Sequence, residues 1–118
     1  MQFLRSLILM NKSFQNFYQN KSVLITGGTS GIGLALAKRL VLEGCQVAVL
    51  SRQQILLDNT VDEISRIAPD RASTLSTIQA DVTKRKELNQ ILDDHTSSHG
   101  LPDIVINCAG VAHPGTFT

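Results

Sequence analysis

Thr26-Gly27-Gly28-Thr29-Ser30-Gly31-Ile32-Gly33 is the stretch of this chain best suited to chemistry, and that chemistry is the holding of an anion. It follows the apolar run Val23-Leu24-Ile25 and leads into Ile32 to Leu42, which is apolar nearly all round. A short strand therefore feeds a glycine-rich turn, and the turn opens a helix near Ile32. Backbone N–H groups and the positive end of the helix dipole converge there, where a pyrophosphate can sit. The glycines divide the work. Gly27 takes the tight turn, Gly31 lets the backbone approach phosphates, and Gly33 lets the helix lie close to the sheet. Such a triplet taken alone also fits an ordinary surface turn.

The elements around the turn favour the first reading. Gly44 stops the helix, and Gln46 to Ser51 supplies a second strand, completing a βαβ unit. Arg52 to Ala68 carries Leu57, Val61, Ile64 and Ile67 at helical spacing, and Pro69-Asp70 ends it. Leu75 to Ala80 reads as a third strand and Asp81-Val82-Thr83 as a turn. Lys84 to Ser98 reads as a helix, with Leu88, Ile91, Leu92 and His95 along one stripe. Gly100-Leu101-Pro102 breaks that pattern, and Asp103 to Asn107, containing Ile104-Val105-Ile106, is a fourth strand. Val111 to Thr118 shows no periodicity. Apolar strands alternating with helices predict a parallel sheet covered on both faces, a three-layer α/β/α arrangement. Right-handed crossovers predict strand order 3-2-1-4, a partial doubly wound, Rossmann-like sheet.

The chain has 118 residues, enough for one modest core. Its net charge of +1 and few aromatics point away from nucleic acid. Lys84-Arg85-Lys86 is the one basic cluster, and it reads as the solvated start of a helix. Cys45 and Cys108 have neither metal spacing nor a disulfide framework; they fit a reducing, cytoplasmic compartment as small buried hydrophobes. His95 reads as a packed helix residue, and His99 and His113 lack partners at ligand spacing, so no metal is expected. Residues 1–20 hold Arg5, Lys12 and no acid, and their apolar run is too short to span a membrane. They read as an N-terminal tail ahead of a dinucleotide-binding domain over 21–118.

Ligands of such sheets lie at the carboxyl ends of the strands, beside the switch point between strands 1 and 4. The end of strand 2 carries Ser51-Arg52 where an NAD-preferring site presents a carboxylate. A guanidinium there pairs with a 2′-phosphate, which favours NADP(H) over NAD(H). After strand 3, Asp81-Val82 either meets an adenine, the carboxylate accepting from its exocyclic amine, or Asp81 caps the next helix; the two are compatible. After strand 4, Asn107-Cys108-Ala109-Gly110 puts small residues where the backbone passes the cofactor, and Asn107 braces the strand through its side chain. A purely structural turn also accounts for that stretch.

These residues resemble those of the short-chain dehydrogenase/reductases. The match lies in the Thr26–Gly33 motif, Asp81-Val82 and Asn107-Cys-Ala-Gly110, in that order, over about Lys21 to Gly115. Within that family, Leu50-Ser51-Arg52 and Asn107 to Ala112 look most like members that reduce 3-ketodihydrosphingosine with NADPH. The resemblance implies hydride transfer between a nicotinamide and a ketone or alcohol, and a cofactor site of Gly27, Thr29, Ser30, Gly31, Ile32, Gly33, Ser51, Arg52, Asp81, Val82, Asn107, Ala109 and Gly110. It also implies a catalytic Ser, a Tyr-x-x-x-Lys and an Asn that this sequence does not contain. The single tyrosine, Tyr18, is followed at the lysine position by Ser22. The expectation is the N-terminal part of an NADP-dependent oxidoreductase, cut before its catalytic half. The alternatives are a nucleotide-binding module without chemistry and an inactive truncated product. A homo-oligomer is expected only of a full-length enzyme.

Overall fold

Strands that are apolar on both sides demand cover on both sides. The computed structural model describes residues 19–108, and its elements run in strict alternation. They are β1 (Ser22–Thr26), α1 (Gly31–Leu42), β2 (Gln46–Ser51), α2 (Gln54–Ile67), a short 3-10 turn (Ala72–Thr74), β3 (Leu75–Gln79), α3 (Arg85–His99) and β4 (Ile104–Asn107). All strand pairs are parallel, and the order is β3-β2-β1-β4, as the alternation predicts. The chain steps from β1 outward to β3, then jumps back across β1 to β4. Right-handed crossovers in opposite directions put helices on opposite faces. So α1 and α2 share one face and α3 takes the other.

The α1/α2 face holds the main core. Val23, Ile25, Val47 and Val49 point into it and meet Ala37, Leu40 and Val41 of α1 with Leu57 and Ile64 of α2. Lys38 and Glu63 form an ion pair between those two helices. On the other face Ala48, Leu50 and Ile78 meet Leu88, Ile91 and Leu92 of α3, a smaller cluster. Gly44 ends α1 as expected. It sits at φ +88°, its N–H donates to the Val41 carbonyl, and the Cys45 N–H donates to that of Leu40.

Boundaries differ from the sequence reading by a residue or two at most of the element ends. One difference matters. Helix α2 starts at Gln54, not Arg52, because Gln53 is extended at φ −104° and ψ 117°. Arg52 therefore lies in the loop beyond the sheet, not in the helix. Cys45 is buried, Cys108 is half-buried, and neither is in a disulfide. Among the described residues no helix is long and apolar enough to cross a membrane. The segment 1–18 of the expected tail, with Tyr18, and Ala109 to Thr118 lie outside the described residues.

Candidate functional site

Four loops leave the carboxyl ends of the strands, and the glycine turn is the most tightly specified. Gly27 sits at φ +74°, and its N–H donates to the Leu50 carbonyl at 3.1 Å, tying the turn to β2. A Cβ on Gly33 would lie 2.1 Å from the Gly27 carbonyl oxygen, so only glycine lets α1 start this close to the turn. Gly28 has a different role. A Cβ there would meet Val49 Cγ1 at 2.8 Å, so its role is packing against β2, which no local motif signals. Gly31 differs again. It has φ +56°, and a Cβ on it would meet nothing within 4 Å. The space beside it is open.

Ser30 is the N-cap of α1, but its side chain makes no capping hydrogen bond, and the first turn carries no acid. The first N–H groups of a helix have no intrahelical acceptor. Here no carboxylate or cap competes for them, and a ligand phosphate suits the donors and the dipole alike. Thr29 is half-buried; Ser30 is exposed and Ile32, on the first turn of α1, is 65% exposed.

The remaining loops flank this turn. Ser51 ends β2, and its Oγ accepts from the Gln53 N–H at 3.3 Å. Arg52 is exposed, and its carbonyl accepts from Gln79 Nε2 at 3.3 Å. Asp81 follows β3. Its Oδ1 accepts from the Thr83 N–H at 2.9 Å and from the Thr83 hydroxyl at 2.7 Å. These bonds from Thr83 hold the Asp81 carboxyl below its ordinary range, with a smaller contribution from the charges of Arg52 and Lys84. The helix-cap reading of Asp81 is corrected: the N-cap of α3 is Lys84, and Asp81 closes a turn ahead of it. Val82 is 48% exposed beside it. Asn107 braces β4, though not through backbone. Its Oδ1 accepts from the hydroxyl of Thr26, its register partner on β1, at 2.7 Å. The structure thus brings the residues from Gly27 to Gly33, Ser51, Arg52, Asp81, Val82 and Asn107 to one end of the sheet. Ala109 and Gly110 lie outside the described residues.

A cavity of about 290 Å³ lies at the opposite end, where the strands begin. Ser22, Gln46, Ser76, His95 and His99 are among its lining. The His95 and His99 rings stack with centroids 4.2 Å apart, and His95 Nε2 lies 3.3 Å from Ser76 Oγ. Among the described residues no three His, Cys, Asp or Glu side chains converge as a metal site would require. A ligand of a parallel sheet binds outside the carboxyl ends of its strands, at the switch point. The glycine-turn end is therefore the candidate site.

A family model described as short chain dehydrogenase matches residues 21–118. The chain is 34% identical over 98 residues to a PIGF/3-ketodihydrosphingosine reductase fusion protein of Schizosaccharomyces pombe, covering 83% of this chain and 19% of that protein. It is 35% identical over 104 residues to 11-beta-hydroxysteroid dehydrogenase 1A of Arabidopsis thaliana, covering 87% and 28%. Among solved structures, L-sorbose reductase from Gluconobacter frateurii, complexed with NADPH and L-sorbose, superposes with a TM-score of 0.65 at 28% identity, over 78% of this chain and 34% of that one. The 3-ketoacyl-(acyl-carrier-protein) reductase of Brucella melitensis, complexed with NADH, gives 0.62 at 26%, over 74% and 33%. The chain thus spans about a fifth to a third of the length of these proteins.

Proposed function

The chain belongs to the short-chain dehydrogenase family, and from that premise we propose that it holds NADP(H) for an oxidoreductase that reduces a ketone. The glycine turn and the start of α1 hold the pyrophosphate. Arg52 pairs with the 2′-phosphate, Asp81 and the Val82 backbone meet the adenine, and Asn107, Ala109 and Gly110 line the passage toward the nicotinamide. The bound nicotinamide supplies the hydride. This segment supplies binding and orientation, with 21–118 as the dinucleotide-binding domain and 1–20 preceding it.

One observation carries the cofactor reading. Arg52 lies exposed in the loop after β2, and neither Ser51 nor Gln53 beside it is acidic. A guanidinium at that point attracts a 2′-phosphate, whereas a carboxylate would repel it. The ketone of a long-chain sphingoid base is the substrate we favour, on the likeness to the yeast reductase fusion protein. Cys45 and Cys108, both outside any disulfide, fit a cytoplasmic setting.

Fluorescence titration with NADPH and NADH tests the cofactor reading. Arg52→Ala is expected to weaken NADPH by about ten- to a hundredfold, the range of a lost charge-assisted hydrogen bond, and to leave NADH unchanged. Equal weakening of both overturns the assignment to NADP(H).

A further inference from the structure

The sheet's hydrogen-bond ladder stops short of Arg52. The last partners on β2 and β3 are Ser51 and Gln79, and the Ala80 N–H closes the ladder on the Ser51 carbonyl at 3.0 Å. Beyond that point two side chains take over. Gln79 Nε2 donates to the Arg52 carbonyl at 3.3 Å, and Ser51 Oγ accepts from the Gln53 N–H at 3.3 Å. The Arg52 carbonyl and the Gln53 N–H belong to one peptide unit. Both of its polar groups are thus held by the last residues of two adjacent strands, although that peptide is outside the sheet.

We infer that Gln79 is a positioning residue for cofactor choice: it fixes the peptide after Arg52, and so favours a dinucleotide carrying a 2′-phosphate over one without. This rests on the reading of Arg52 given above. The physical reason is entropic. An arginine that must order its main chain as well as its side chain on binding loses more freedom than one whose backbone is already set. Gln79 does not need to touch the phosphate to act this way. Its effect is confined to the ligand that uses Arg52.

The test is a double-mutant cycle on the full chain, with NADPH and NADH titrated against each variant. Gln79→Met keeps the length of the side chain and removes the donor; Gln79→Ala repeats the test should methionine pack differently. The expected result is NADPH weakened by about twofold to tenfold, the range of one hydrogen bond, with NADH unchanged. In the Arg52→Ala background the same substitutions are expected to change neither ligand, because their effect runs through Arg52. Unchanged NADPH binding in both single variants overturns the inference. So does equal loss of both nucleotides, or an effect that persists undiminished without Arg52. Should Arg52→Ala fail to separate the nucleotides, the cofactor reading falls and this inference with it. Should it separate them while the Gln79 variants do not, only the inference falls.

Discussion

On the face that carries α1 and α2, Val23, Ile25, Val47 and Val49 are each at most 1% exposed; on the face that carries α3, Val105 is 60% exposed and α3 itself has no fully buried residue. Composition and topology act together. The strands present Val23, Ile25, Val47 and Val49 toward α1 and α2, but toward α3 they present smaller residues such as Ala48 and Ser76, and α3 itself is largely polar. Two crossovers stack α1 and α2 on one face of the sheet, while the single return crossover leaves α3 in a smaller cluster with Leu24, Ala48, Leu50, Ile78 and Ala80. Helix α1 is anchored in the more heavily packed face through Ala37, Leu40 and Val41, which fixes the direction of the donors at its start.

Substituting Gly33 tests that claim most severely. The alanine Cβ would meet the Gly27 carbonyl oxygen at 2.1 Å, with the Gly27 carbon at 2.9 Å and Gly28 Cα at 3.0 Å. All are backbone, so no rotamer change relieves the clash, and α1 must move away from the turn. Gly33→Ala is expected to cost about 3 kcal/mol or more and to abolish dinucleotide binding. Urea unfolding followed by circular dichroism measures the first and NADPH titration the second. A variant of native stability that still bound NADPH would mean the turn is not fixed as described.

A matched pair of truncations then sharpens the contrast between faces. Leu57 on α2 is 0% exposed and Leu92 on α3 is half-buried. Leu57→Ala is expected to cost about 2–5 kcal/mol, since it adds a cavity to the lost burial. Leu92→Ala is expected to cost about 1 kcal/mol, roughly half the value of burying a leucine. The same urea experiment reads both. Equal losses would show that the α3 face is as well packed as the other.

Periodicity and glycine placement made most of this legible in the sequence. The alternation of elements gives the strand order, because right-handed crossovers leave few choices. Gly27, Gly33 and Gly44 sit where a turn, a close approach and a helix stop need them. What was hidden depends on contacts between distant segments. Gly28 is small because Val49 of β2 crosses it, and the partner of Asn107 is Thr26, 81 residues earlier. Asp81 looks like a helix cap from its neighbours alone; only the position of Lys84 shows that the helix begins later. Gln79 carries no signal at all in the sequence, since its meaning comes from the register that sets it opposite Ser51.

The smallest expected effect concerns acid, and it belongs to the sparsely packed face. His95 lies half-buried on α3 beside Ser76 and the cavity, whose lining among the described residues holds no other titratable side chain except His99. Burial pushes its pKa below the ordinary 6.5, with His99 adding a smaller push in the same direction. The folded chain therefore resists a proton that the unfolded chain accepts. Between the lowered value and 6.5 the unfolded state binds more protons, so stability rises with pH across that window. Full stability is present above about 6.5 and declines as the pH falls below it. Asp81 acts separately, because its lowered carboxyl gives up stability only below the ordinary 3.8. Urea midpoints measured from about pH 8 down to about pH 5 are expected to fall for the native chain and to flatten in His95→Gln. A native chain with no slope in that range would mean that α3 leaves His95 in water, and that this face is looser still than its packing indicates.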